Sequence, residues 1–419
     1  MNKKLFLFYF YCLSIAIPNY NFDIVSIYDL LKTHPDIEYI KCFDAQPFEY
    51  KLFPIARFPE LHPNKGLLAE SFIAKIPNGR VCSWHGWIQV GNQIIQECIF
   101  PYAMLIGQKD MLKHFKFQNL KKITGKVAVI TMPFDNCYGH WICHVLGRLA
   151  LLELHNIEYD WLYVSYDLPY MKETLSMCGV DTAKIITPFN ENYYIQADEL
   201  IVPSHMGMRK PEHGQYILNE SSLKVFYPSW GIPISQQELD LVNVPPHISL
   251  TNCFLNWTPL CGYYLSQWLI DYLQSKFLSS IHNTEQPLSK KVFISRKDSH
   301  RHIINEDEIF KLFEPYGFKK YVLSTMSLQE QIALFHNAQT IVATNGSSLT
   351  NTLFCKTGTN IVEIFLARSD ATFYYASETL QLHHYCLQTM DFTEIDGNKN
   401  FLVPLFLIHN FINEHQSLF

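Results

Sequence analysis

Between Lys291 and Phe365 the chain alternates short apolar runs with amphipathic segments, and that rhythm leaves few folds open. Lys291 to Ile294 is the first strand-type run. Asn305 with Glu308 three residues on is a capping-box-like start to a helix that stops at Pro315-Tyr316-Gly317. Tyr321 to Leu323 is a second run. Ser327 with Glu330 opens a second helix, whose Leu328, Ile332 and Phe335 share one face. Thr340 to Ala343 is a third run, followed by Asn345-Gly346-Ser347-Ser348 and a short helix through Asn351 and Phe354. Thr357-Gly358-Thr359 then leads into a fourth run, Asn360 to Phe365. A β-α-β-α-β-α-β order predicts a parallel sheet with right-handed crossovers. At or near the strand ends sit Arg296, the Gly346-Ser347-Ser348 loop and Glu363. Such a sheet presents its chemistry at strand ends and receives a phosphate at a helix N-terminus.

The same residues carry a resemblance. Phe293-Ile-Ser-Arg296, Arg301, Asn305-Glu306, Ser327-Leu-Gln-Glu-Gln331, the stretch Ala343 to Asn351 and Ile361-Val-Glu-Ile364 resemble the C-terminal half of glycosyltransferase family 61. A second patch, Asp135-Asn136-Cys-Tyr-Gly-His140-Trp141-Ile-Cys-His144 running into Val145-Leu-Gly-Arg148, is similar to that family's N-x-x-H-W-x-x-D followed by an apolar helix. Ile76 to Val81 and Val90 to Ile94 resemble its early hairpins. The likeness spans about residues 66 to 366. The pattern is departed from in two places. Asn345 and Ser347-Ser348 replace a His and an Ala-Gly pair, and His144 stands at an acidic position. The resemblance implies an α/β fold of GT-B type, with two Rossmann-like domains facing a cleft and β-hairpins near the N-terminus. It also implies an inverting transfer of a hexosyl or pentosyl group to a glycan or protein hydroxyl. The donor is a nucleotide sugar, UDP-sugars first, acting as substrate; no cofactor is expected.

A chain of 419 residues exceeds one ordinary core, so two domains are expected. The divisions fall at residues 22–235 for an acceptor-side domain and 236–385 for a nucleotide-sugar domain, with 386–419 packing back on the core. The linker is placed at residues 228–250, where four prolines disfavour helix. Hydrophobic residues at 48% with 17% charged describe a globular protein. A net charge of −6 with scattered basic residues argues against nucleic acid as a partner. Eleven cysteines without a repeated framework or a CxxC pair read as reduced thiols rather than disulfides or a zinc site. Residues 1–21 hold Lys3-Lys4 and the apolar run Leu5 to Ile17. That run fits either a signal or short anchor, or a buried first element. Sequons at Asn219 and Asn256 add little to the choice. The expected location is cytoplasmic or membrane-associated, peripherally or through the N-terminus, with a secretory-pathway signal as the alternative.

Sugar transfer needs a base for the acceptor hydroxyl and positive charge or oriented N–H groups for the departing diphosphate. Arg296 is the foremost diphosphate clamp, because a guanidinium fork matches phosphate oxygens; the plain alternative is a surface ion pair. Arg301 is a second clamp, or a brace against Glu306. Asn345, Gly346, Ser347, Ser348 and Asn351 belong to the loop and helix start that would meet the phosphate, though a turn capped by Ser looks the same. Glu363 binds a ribose, or pairs internally with Arg296 or Lys356. His140 and His144, four apart, share a helix face. They are a base, half of a metal site without a third ligand, or two core histidines. The resemblance favours His140 as base beside Asn136, with Asp135 as the next candidate. No metal ligands are assigned. The absence of a D-x-D triad fits transfer without a metal ion. Asn345, Ser347-Ser348 and His144 also admit a rival: a catalytically degenerate binding protein of the same fold. A His-dependent hydrolase is a poor third reading, since no nucleophile elbow accompanies the histidines.

Overall fold

The computed structural model describes residues 23–51, 53–54, 64–82, 86–99, 120–132, 135–188, 194–207, 264–281, 288–365, 371–389 and 400–419. The run Leu5 to Ile17, the Pro-rich stretch 228–250 and both sequons lie outside them. Among the described residues no helix is long and apolar enough to cross a membrane.

The C-terminal half is a parallel five-stranded sheet. It comprises β13 (Lys291–Ser295), β14 (Lys319–Val322), β15 (Thr340–Thr344), β16 (Asn360–Phe365) and β17 (His383–Gln388). The spatial order β14-β13-β15-β16-β17 is that of a doubly wound sheet that reverses direction between its first and third strands. Period-two alternation divides the side chains. Val292, Ile294, Ile341, Ala343 and Ile361 face one cluster, and Phe293, Val342, Val362 and Ile364 face another. The first cluster is covered by α4 (Gln267–Leu278), α6 (Leu328–Asn337) and α7 (Thr372–Thr379). The second is covered by α5 (Glu306–Phe313) and α8 (Leu405–Glu414). The helix α8 and the residues around it pack on the sheet, while β17 carries the sheet itself past residue 385.

Local signals explain most of these boundaries. Ser327 and Glu330 form the expected capping box on α6. Leu328, Ile332 and Phe335 are its buried stripe. The helix α5 ends through a 3₁₀ turn at Gly317, whose φ of 86° serves as the left-handed cap. Asn305 departs from expectation. Its side chain does not cap α5. It pairs with the backbone of Val403 instead, at 2.9 and 3.0 Å, and so ties α5 to the C-terminal segment.

The N-terminal half is a ten-stranded sheet. Its strands are β1 (Asp23–Val25), β2 (Glu38–Phe43), β5 (Ser71–Pro77), β6 (Arg80–Cys82), β7 (Trp87–Val90), β8 (Gln93–Ile95), β9 (Leu120–Val129), β10 (Trp161–Tyr163), β11 (Ile185–Ile186) and β12 (Tyr194–Pro203). Two further strands, β3 (Gln46–Glu49) and β4 (Lys65–Leu68), pair separately. The strands β9, β10 and β11 run parallel, and β12 joins β9 in parallel but pairs β5 and β6 antiparallel. The expected α/β class and early hairpins are present. The sheet is mixed: β9, β10 and β11 are parallel with a helix between each, β12 is parallel to β9 on its other side, and antiparallel strands extend the sheet beyond β12. Its antiparallel pairs are β6 with β7 and β7 with β8, neighbours in sequence, and β2 with β5 and β12 with β5 and β6, which are not. Helices α1 (Ile27–Thr33), α2 (Leu146–Leu154) and α3 (Pro169–Met177) complete this half. One hydrophobic cluster runs from Ala128, Leu146 and Leu162 through Leu269 to Ile341 and Leu353, so both halves share part of their core.

Candidate active site

In a doubly wound sheet the crevice opens at the carboxyl ends of the strands flanking the reversal. Here those strands are β13 and β15, hydrogen-bonded neighbours that lead directly into Arg296 and into Asn345-Gly346. Two sequence-predicted clamps thus meet because of strand order. Arg296 is 9% exposed. Glu306 fixes its backbone: Arg296 N donates to Glu306 Oε2 at 3.2 Å, and Ser295 Oγ donates to Oε1 at 2.7 Å. Lys320 completes that buried carboxylate's pairing at 3.4 Å. At the other end, Arg296 Nη2 donates to His300 O at 3.0 Å and to Ser299 Oγ at 3.3 Å.

Arg296 forms no ion pair among the described residues. Its Nε is buried without a hydrogen-bond partner. Burial, and secondarily the Arg301 charge beside it, pull the guanidinium below its ordinary value to about 10. Across from it the chain passes through Gly346, where any Cβ would collide with Arg296 Nη1. A larger residue fits there only if the guanidinium moves aside. The next residues, Ser347–Phe354, form a 3₁₀ helix whose N-terminal end adjoins Gly346. Around it the hydroxyls of Thr344, Ser348 and Thr350 are buried without partners. A buried cation with no ion pair among the described residues, orphan hydroxyls and a helix N-terminus are groups able to hold an anion.

Arg301 adopts φ 62°, a left-handed conformation uncommon for a side-chain-bearing residue. Its Nη1 donates to Asn345 Oδ1 at 3.3 Å. Its contact is therefore the loop rather than Glu306, which is engaged elsewhere. Asn345 Nδ2 donates to Glu363 Oε1 at 2.8 Å. Glu363 is fully buried, and its Oε2 lies 2.9 Å from His384 Nε2. The ribose role expected of Glu363 conflicts with this burial. Asn351 is also fully buried. It accepts from Tyr138 at 2.5 Å and donates to Gln331 at 3.1 Å, which makes it a tie between halves rather than a phosphate contact.

The facing half supplies the segment from Asp135 to Arg148. Cys137 Sγ lies 3.5 Å from Ser347 Oγ, which puts this segment against the anion loop. The helix bearing His140 and His144 contains a π-helical turn, Trp141–Val145, a distortion frequent at functional sites. His140 is half-buried, with its ring centroid 5.5 Å from that of His144. His144 is 1% exposed and its Nδ1 lies 3.1 Å from Met206 O, so that nitrogen carries the proton. Burial, then the His140 charge, push His144 down to about 3. It is a neutral core residue at physiological pH and too weak a base to serve. Asp135 moves the other way: burial raises its carboxyl to about 6, against the hydrogen bond it accepts from Thr131 at 2.7 Å. Asn136 is exposed, and its carbonyl accepts from Tyr170.

Sequence reasoning missed His384, Glu306 as the brace of Arg296, and Arg148. The last is wholly buried, donating to Thr131 O at 2.7 Å and Pro203 O at 3.0 Å, with burial lowering it to about 10. A lone Arg in an apolar helix was the available signal for Arg148. His384 had none, because its partner lies on another strand. Among the described residues no group of three or more His, Cys, Asp or Glu side chains is placed to hold a metal ion.

Comparison with known proteins gives this geometry its context. No curated protein matches the chain. Among solved structures, the chain is similar to the E. coli heptosyltransferase WaaC with ADP. That match has 11% identity and a TM-score of 0.31, over 71% of this chain and 99% of that one. It is also similar to a glycosyl transferase family 9 structure from Veillonella parvula, at 13% identity and a TM-score of 0.29, over 70% of this chain and 97% of that one. The family model for glycosyltransferase 61 matches residues 138–362, from the Tyr138 tie through the anion loop into β16. That match covers more than half of the chain: the protein belongs to glycosyltransferase family 61 and is a glycosyltransferase.

Proposed function

We propose that the protein takes a sugar from a nucleoside-diphosphate sugar and passes it to a hydroxyl of a glycan or protein, with inversion and without a metal ion. The observation that carries this reading is the pair Arg296 and Arg301, adjacent guanidinium groups with no ion pair among the described residues. Like charges held together in a partly buried site are stabilised by a bound polyanion. The departing diphosphate is that polyanion. Guanidinium groups and helix N–H groups then fill the role a divalent cation fills elsewhere. UDP-sugars are the first donors to test.

In the reaction the acceptor O–H gives its proton to a base while its oxygen attacks the sugar's anomeric carbon. The bond from that carbon to the β-phosphate oxygen breaks, and its electron pair leaves with the diphosphate, where Arg296 and Arg301 receive the charge. His140 is the base in this reading. It is half-buried on the half that faces the anion loop, and His144 beside it is disqualified by burial. Asp135 is the second reading, favoured by its carboxyl held at about 6, near the optimum for a base. Met206, whose carbonyl holds His144, lines a surface depression with Phe43, Tyr264 and Trp268.

The test is calorimetry with UDP and other nucleoside diphosphates in EDTA, followed by transfer assays with NMR assignment of the product anomer. Binding and turnover that survive EDTA are expected. Turnover restored only by Mn²⁺ would reject the metal-independent mechanism, and tight binding without transfer or hydrolysis would favour the degenerate binding protein. A general base contributes roughly 10²–10⁴-fold. His140→Ala should lose that factor with diphosphate affinity intact. A larger loss in Asp135→Asn would move the base to Asp135.

A further inference from the structure

Arg301 is held beside Arg296 against electrostatic repulsion and in a left-handed backbone conformation. Something must hold it. Its contact is Asn345 Oδ1, and the orientation of that amide is decided one residue deeper. Asn345 follows β15, Glu363 lies in β16 and His384 in β17. The register pairs Ala343 with Glu363 and Ile361 with His384. Asn345, Glu363 and His384 therefore lie along one face of three adjacent parallel strands, each a diagonal neighbour of the next.

Every link has a direction. Asn345 Nδ2 donates to Glu363 Oε1, so Oδ1 turns outward to Arg301, which carries only donors. A flipped amide would set its NH₂ against the guanidinium and its oxygen against the carboxylate, and both contacts would repel. The carboxylate thus sets the amide, and the amide sets Arg301. Glu363 is itself oriented from behind. Its Oε2 takes His384 Nε2 at 2.9 Å, and His384 Nδ1 lies 2.8 Å from Ser377 Oγ on α7. Both side chains of the Glu363–His384 pair are fully buried. The chain Ser377–His384–Glu363–Asn345–Arg301 begins in the helix covering the sheet and ends at the anion site.

We propose that His384 is a positioning residue for the donor's diphosphate, acting through Glu363 and Asn345 to hold Arg301 in its binding orientation. The inference rests on the reading of this loop as the diphosphate site. It is tested on the full chain with inorganic pyrophosphate and UDP as probes. His384→Leu removes the donor to Glu363 and should weaken pyrophosphate about tenfold, the scale of one lost charge-assisted hydrogen bond. His384→Gln supplies an amide donor in its place and should restore affinity to within about threefold of the native protein. Ser377→Ala keeps every charge and should fall between the two. A merely structural role would lower the melting temperature of all three variants and leave the affinity of the folded protein unchanged.

Should His384→Leu fail to fold because it takes one donor from a buried carboxylate, Ser377→Ala and His384→Gln carry the test. Native pyrophosphate affinity in Ser377→Ala then overturns the proposal, as it does in His384→Leu when that variant folds. Native protein that binds neither probe overturns the diphosphate site and this inference with it. Native protein that binds both, with variants equal to it, overturns the inference alone.

Discussion

Arg296 sets stability against function in a way that one substitution can measure. Moving a guanidinium ionisation from 12.5 to about 10 corresponds to about 3 kcal/mol of cost, from burial first and the Arg301 charge second, and that cost is fully present at neutral pH, below both values. Two hydrogen bonds, to Ser299 and His300, offset part of it at about 1 kcal/mol or more each. Arg296→Met keeps the side chain's length, removes the buried charge and gives up both bonds. The terms nearly cancel, so folding stability should stay within about 1 kcal/mol of native or rise slightly. Ligand binding should not survive as well: UDP and pyrophosphate affinity should drop by about 1.5–3 kcal/mol, the worth of a hydrogen bond to a charged group. Urea unfolding at pH 7.5 measures the first quantity and calorimetry the second. Native stability with lost affinity marks a residue kept for its ligand. A destabilisation above about 3 kcal/mol, the usual result of breaking a buried pair, with pyrophosphate binding intact, would refute the reasoning.

Gly346→Ala puts a methyl group against Arg296 Nη1 and should displace the clamp; misplacement by about 1 Å can cost ~10²-fold in turnover. Native turnover in that variant would show that the guanidinium gives way freely. Asp135→Asn should raise stability at pH 8 by about 1–3 kcal/mol, since burial raises the carboxyl from 3.8 to about 6 and the folded protein holds it charged at a cost. A loss of stability in urea unfolding would mean that its hydrogen bonds outweigh its burial. His144 gives the opposite slope. Its folded value of about 3 lies below the ordinary 6.5, so between these the unfolded chain binds the extra proton. Its contribution is complete above 6.5 and is lost as pH falls toward 3. His144→Gln should flatten the acid limb of the stability–pH curve, and an unchanged limb would assign acid unfolding elsewhere.

The C-terminal sheet was legible because its signals are local. Phe293 between Val292 and Ile294 shows the period-two division of faces, and Ser327 with Glu330 marks a helix start without help from distant residues. The fifth strand was not legible. His383-His384-Tyr385-Cys386 lacks the apolar alternation of a strand, because His384 spends its face on Glu363 rather than on packing. The pairing of the N-terminal strands was hidden for a different reason. Its central pairing joins Leu120–Val129 to Tyr194–Pro203, and β12 turns its other edge to β5 and β6. Such long-range register is set by tertiary packing, which no window of residues contains. Asn305 shows the reverse error. A correct capping pattern was overridden by Val403, nearly a hundred residues on.

The site divides along the same line. Arg296 and Gly346 could be chosen from sequence because strand-end position and residue type suffice to nominate them. Their meeting depends on strand order, which places β13 beside β15 and sends β14 to the outer edge. His140, His144 and Asp135 could be nominated but not ranked, since burial decides which of them can exchange a proton near neutral pH. Burial acts on the last two with opposite sign. It disfavours the charged form of each, so it silences an imidazole and sharpens a carboxylate. One apolar environment therefore removes His144 from the chemistry and brings Asp135 toward it. That leaves His140, half-buried between them in sequence, as the residue whose substitution decides where the acceptor's proton goes.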